Sequence, residues 1–156
     1  MEQSLQDIYG PETICFGCGP ANADGLRIKS YPDPDSDDVV CDFDPAPHHQ
    51  AFPGVINGGI IGTLLDCHSN WTAAYHFLRA RDGEQPPVTV TADFHVKLRR
   101  PTPAGETLHL HARVVETSGD DRVVVDAEIE AAGKITATCR GTFVAVEEGH
   151  PAWHRW

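Results

Sequence analysis

The stretch Gln50–Leu78, Q-A-F-P-G-V-I-N-G-G-I-I-G-T-L-L-D-C-H-S-N-W-T-A-A-Y-H-F-L, decides how the rest of the chain is read. A turn at Pro53-Gly54 leads to Asn57-Gly58-Gly59. From Asn57, a good N-cap residue, no proline interrupts the chain until Pro86. At the helical period Ile60, Ile61, Leu64, Leu65, His68, Trp71, Tyr75 and Leu78 fall on one broad face. Asp66, the lone acid of the stretch, falls nearly opposite, among Gly59, Gly62, Asn70, Ala73 and Phe77. A solvated helix face carries Lys and Glu; this one is mostly small and lets a second backbone or subunit come close.

Working outward, the downstream sequence alternates with period two. The apolar positions are Val88–Leu98, Leu108–Val114, Val123–Ala131 and Ile135–Ala145, taken every second residue. Such alternation predicts four long antiparallel strands covered on one face, joined by short turns at 101–105, 118–121 and Gly133. Upstream, Leu26–Tyr31 and Val39–Phe43 read as a hairpin around the proline- and aspartate-rich loop 32–38, and 45–53 reads as a loop. The expected architecture is α+β: one long central helix wrapped by a curved antiparallel sheet of about six strands. Residues 1–25 are an N-terminal segment without periodicity, 26–146 the domain, and 147–156 a tail docked through Trp153 or Trp156.

Composition narrows the function. With 156 residues, the chain is long enough for one domain with its own core. A formal charge of −11 argues against general nucleic-acid binding, which needs a basic surface. No apolar run approaches a membrane span, and M-E-Q-S-L-Q-D-I-Y-G lacks the features of a signal peptide, so a cytoplasmic location is expected. The five cysteines are an odd number with no disulfide framework. Cys15 and Cys18 have zinc spacing, but no second CxxC completes a four-cysteine site. The pair reads as structural and unmetallated, with zinc binding as the alternative reading, and no cofactor is expected. Cys67 and Cys139 read as small buried residues.

The segment H-Q-A-F-P-G-V-I-N-G-G-I-I-G-T-L-L-D, His49–Asp66, resembles the central motif of hotdog-fold thioesterases, closest to the phenylacetic-acid-degradation branch of acyl-CoA thioesterases. C-F-G-C-G-P-A-N-A-D-G-L (Cys15–Leu26) and T-A-D-F-H-V-K-L-R-R-P-T-P-A-G-E (Thr91–Glu106) are similar to further signatures of that branch. The resemblance covers residues 15–146. It implies hydrolysis of a thioester of coenzyme A or an acyl carrier, with sites between the subunits of a homodimer and dimers that often pair into homotetramers.

The resemblance also assigns roles. Asp66 takes the catalytic acid position, as a base for water or as a nucleophile; read alone, it could equally make a structural hydrogen bond across an interface. Gly58 and Gly59 sit where a helix start offers free N–H groups, and Gly59 is the expected oxyanion donor; a flexible turn is the plainer reading. Asn57 stands where the family has histidine. It can donate to the substrate, or cap the helix and compete for those same N–H groups. Gln50 and His49 match loop residues that border the thioester, and Thr91 a hydroxyl that orients water. Lys97, Arg99 and Arg100 form a basic cluster suited to the phosphates of coenzyme A, or a solvated edge. His68 reads as a core histidine or as part of the acyl pocket. Two other readings stand beside hydrolysis: a non-catalytic acyl-CoA-binding protein, and a hydratase or dehydratase, which would need the histidine that Asn57 replaces.

Overall fold

The computed structural model describes residues 3–153. After a short helix α1 (Leu5–Tyr9) come strands β1 (Tyr31–Pro32), β2 (Val39–Phe43), β3 (Gln50–Phe52) and β4 (Val55–Ile56). The long helix α2 (Gly58–Ala80) follows, then β5 (Thr89–Leu98), β6 (Leu108–Ser118), β7 (Arg122–Ala131) and β8 (Lys134–Ala145). Among the described residues, six strands form one antiparallel sheet in the order β1-β2-β6-β7-β8-β5, and β3 pairs with β4. The sheet curves around α2, which touches β5, β6, β7 and β8. This is the hotdog architecture that the sequence implies.

The helix forms where its cap and composition place it. Asn57 Oδ1 accepts the N–H groups of Gly59 at 2.8 Å and Ile60 at 3.2 Å, two of those a helix start leaves orphaned. Ile61, Leu64, Leu65 and Phe77 of α2 then pack on Val123, Val125, Ala127 and Ile129 of β7, all nearly inaccessible to solvent. Each of the larger side chains contributes roughly 1.5–3 kcal/mol by leaving water. No helix among the described residues is long and apolar enough to cross a membrane.

Four expectations change. The strand predicted over Leu26–Tyr31 shrinks to Tyr31–Pro32, because the N-terminal segment takes the backbone of that stretch. The N–H groups of Leu26 and Ile28 donate to Phe16 and Gly17 carbonyls, and Ser30 O accepts from Leu5 N–H. The loop predicted over 45–53 holds a 3-10 turn at Pro47–His49 and the strand β3. With β4 it forms a hairpin braced on the loop between β5 and β6 by Ile56 N–H to Thr102 O, 2.9 Å. The face of α2 opposite Leu64 is open only in its first half: Ala73 and Phe77 are buried, because the sheet closes over the second half. Finally, the alternation in β5 breaks at a bulge at Ala92. Thr91 pairs with Phe143 and Asp93 with Thr142, so one extra residue inverts the strand. Thr89 and Thr91 therefore face the helix together with Phe94, Val96 and Leu98, where strict alternation would have pointed the threonines outward. In the tail, Trp153 is partly buried; Trp156 lies outside the described residues.

Candidate active site

β5 runs antiparallel to α2 along its open side and matches it one turn at a time. A Cβ added to Gly58 would lie 3.4 Å from Leu98 Cδ1, and one added to Gly62 would lie 3.9 Å from Phe94 Cε2. One turn on, Thr91 Oγ1 donates to Asp66 Oδ1 at 2.7 Å, and after it Asn70 Nδ2 donates to Thr89 O at 3.1 Å. Gly58, Gly62, Asp66 and Asn70 are spaced by four, so they stack on one helix face. The bulge at Ala92 makes this match possible, since without it the Thr91 hydroxyl would leave the helix.

Asp66 is half-buried, with Oδ1 held by Thr91 and with no described residue donating a hydrogen bond to Oδ2. Burial pushes its pKa above the ordinary carboxylate value; the Thr91 hydroxyl opposes this and the charge of Cys15 adds to it. A carboxylate raised in this way, with one oxygen fixed and one free, is suited to accept a proton. Thr91 uses its proton on the carboxylate, so it orients Asp66 and leaves only its lone pairs for a water.

The helix start differs from expectation in one respect. The Gly59 N–H, the expected oxyanion donor, is taken by Asn57 Oδ1, and Asn57 acts as the helix cap. The Gly58 N–H has no acceptor among the described residues, and Gly58 is exposed. The available donor is therefore Gly58. It precedes Asp66 by eight helical residues, about 12 Å along the axis.

The other expected residues lie apart from this line. Gln50 is spent on its own loop, Nε2 donating to Pro47 O and Oε1 accepting from Gly54 N–H, both at 2.7 Å. His49 Nδ1 accepts from Ala46 N–H at 2.9 Å, and its ring stacks on Phe43. Burial, then the neighbouring His48, lowers its pKa. His68 is fully buried: Nε2 donates to the Val39 carbonyl at 3.0 Å, so Nδ1 is the acceptor for Ser30 Oγ at 2.9 Å. Lys97 and Arg99 face away from the helix. With His95, Arg113 and Arg140 they line an open groove of about 840 Å³ on the outer side of the sheet. Arg100 is exposed in the turn after β5, level with the Gly58 end of α2.

The sequence profile of the thioesterase superfamily matches residues 53–134, more than half of the chain. The chain belongs to the thioesterase superfamily. Among solved structures, this thioesterase-superfamily chain is similar to a thioesterase superfamily protein from Shewanella loihica PV-4. The two are 29% identical with a TM-score of 0.65, over 82% of this chain and 98% of that one. It shares its fold with the PaaI protein of the Escherichia coli phenylacetic acid degradation operon, at 22% identity, TM-score 0.66, over 81% of this chain and 85% of that one. A phenylacetic acid degradation-related protein from Ralstonia eutropha JMP134 is alike to the same degree, at 24% identity, TM-score 0.65, over 81% and 90%. No protein of curated function matches. Within the superfamily's central segment, the sequence reading named both Gly58 and Gly59 but preferred Gly59, and the capping by Asn57 reverses that preference. It missed Cys67, whose sulfur meets Cys15 and Cys18 from a distant part of the chain.

Proposed function

We propose that the protein hydrolyses acyl-coenzyme A thioesters, with Asp66 as the group that activates water. The observation that carries this is the half-buried Asp66 carboxylate, fixed through Oδ1 by Thr91 and free at Oδ2, on the open face of the central helix. In this reading Asp66 Oδ2 takes a proton from water as the oxygen attacks the thioester carbon. The Gly58 N–H stabilises the resulting oxyanion, and collapse expels the coenzyme A thiolate, which is reprotonated. Direct attack by Asp66 through a mixed anhydride would use the same two groups.

One protomer does not bring those groups to one carbonyl, because about 12 Å of helix separates Gly58 from Asp66. A second copy supplies the missing half: Gly58 of one subunit meets Asp66 of the other across a two-fold axis. The edge strand β5 supports this, since it has no neighbour on its outer side among the described residues and exposes Phe94 (43%) and Leu98 (61%) beside the helix face. Arg100, at the Gly58 end of this strand, would hold a coenzyme A phosphate at the rim, whereas Lys97 and Arg99 face the outer groove. Catalysis uses no cofactor in this reading.

Thiol release tests the proposal, measured over a panel of short, long and aromatic acyl-coenzyme A substrates with wild type, Asp66→Ala and Asp66→Asn. The expected result is turnover of part of the panel and a loss of at least about 100-fold in both variants. Turnover that survives both substitutions removes Asp66 from the centre. Binding without turnover by wild type favours a carrier or sensor, a reading that Asn57's hold on the Gly59 amide supports.

A further inference from the structure

The Cys15-Phe16-Gly17-Cys18-Gly19 turn does not stand alone. It lies against α2 one residue beyond Asp66, where Cys67 points into it, and the three Sγ atoms all lie within 4.8 Å of one another. Cys15 Sγ and Cys67 Sγ are 3.7 Å apart. Metal–sulfur bonds of 2.3 Å in a tetrahedral site put neighbouring sulfurs about 3.8 Å apart, so this pair already has the spacing of one edge. Cys41 and Cys139 belong to the core packing and take no part.

The backbone around the thiols is shaped to hold them. Gly19 N–H donates to Cys15 O at 2.8 Å and closes the turn. A Cβ on Gly17 would collide with Cys67 Sγ and with the Thr63 methyl, so only glycine lets the turn seat against the helix. The Cys15 thiol is drawn well below its usual range by hydrogen bonds from the Cys18 and Cys67 thiols and, against burial, from the N–H groups of Cys18 and Gly17. Such N–H groups aimed at a sulfur offset the charge of a thiolate ligand. Cys18 and Cys67 are displaced upward, each chiefly through Cys15.

We propose that Cys15, Cys18 and Cys67 bind a single Zn²⁺ ion through their three sulfurs, with a water in the fourth position. Thiolate softness selects a thiophilic d¹⁰ cation, and Cys15, the exposed member, leaves the fourth position towards solvent. Binding releases the remaining thiol protons to solvent. The ion ties the N-terminal segment to α2 beside Asp66 and is structural, with no part in the hydrolytic step. Sequence spacing hides the site, because the third ligand lies 52 residues from Cys15.

Cobalt substitution of the full-length protein tests this without reference to turnover. The reduced, chelator-stripped protein is titrated with Co²⁺ and then with Zn²⁺. One equivalent of Co²⁺ is expected to give thiolate-to-metal charge-transfer absorption and the strong visible bands of a tetrahedral site, both bleached by Zn²⁺. Cys15→Ser and Cys67→Ser lose these bands and Cys41→Ser keeps them. Cys67 is buried, so the exposed Cys15 variant, with its fold checked by far-ultraviolet circular dichroism, keeps the test decisive. Excess Zn²⁺ raises the Tm of wild type by several degrees and leaves that of Cys15→Ser in place. The absence of charge transfer in reduced wild type, or equal bands in Cys15→Ser and Cys67→Ser, overturns the proposal. So does a Cys15–Cys67 disulfide that forms in preference to uptake when Zn²⁺ is present.

Discussion

Asn57 and Gly58 are adjacent, yet their substitutions separate stability from chemistry. Asn57 Oδ1 satisfies two helix N–H groups, so Asn57→Ala should cost about 1 kcal/mol, read as a lower Tm. Asn57→Asp keeps the acceptor and adds a charge that the helix start favours, so its Tm should hold or rise. The same charge opposes a developing oxyanion, so thiol release should fall further in Asn57→Asp than in Asn57→Ala. Gly58 permits a cleaner deletion. It is the first helical residue, where proline is tolerated, and Asn57 before it has φ −59° and ψ 134°, a conformation that a following proline accepts. Gly58→Pro therefore removes one N–H and little else. The expected result is a kcat lower by about 100-fold or more with the fold intact, while Gly58→Ala, which retains the N–H, keeps most of the activity. An unchanged kcat in Gly58→Pro would remove this amide from the oxyanion site.

At the scale of elements, what could be read in the sequence follows from which forces are local. The helix was legible because its cap, its period and its freedom from proline are all properties of one stretch. β7 was legible because its alternation persists, its buried set running Val123, Val125, Ala127, Ile129, Ala131 as read; β8 keeps the pattern from Ala137 onward and breaks it at a bulge at Thr136. β5 was misread on its faces because a bulge at Ala92 has no side-chain signature, and that bulge is what turns Thr91 towards Asp66. Leu26–Ser30 alternates like a strand but is claimed by α1 and the cysteine turn, a competition visible only in three dimensions.

That same N-terminal packing makes an acid-sensitive joint. Gln6 Nε2 donates to Ser30 Oγ, Ser30 to His68 Nδ1, and His68 Nε2 to Val39 O, linking α1, the segment before β1, α2 and β2 through a neutral imidazole. Burial holds the His68 pKa down to about 4 from 6.5; the bond to Val39 opposes this and the charge of His111 adds to it. The unfolded chain takes up this proton near pH 6.5, and the folded chain does so only near pH 4. Stability from this site is full above pH 6.5 and falls as the pH drops towards 4, by about 3 kcal/mol in all. Melting temperatures measured across that range should fall in wild type. In His68→Gln they should start lower and fall less steeply.

The whole molecule is where the proposed chemistry has to close, and one chain alone holds its two halves about 12 Å apart. If the open face of α2 and the edge of β5 meet their two-fold copies, each dimer has two sites, and each site takes Gly58 from one chain and Asp66 from the other. Two inactive variants should then repair each other. In a dimer of Asp66→Asn with Gly58→Pro, one site inherits both defects, while the other combines an intact Gly58 with an intact Asp66. With random pairing after co-expression, roughly half of the dimers are mixed and each restores one of its two sites, so about a quarter of the wild-type rate should return. Differently tagged chains, purified sequentially to isolate mixed dimers, should double that fraction. A site confined to one chain predicts no recovery at any mixing ratio, because every chain then carries a defect in its own site.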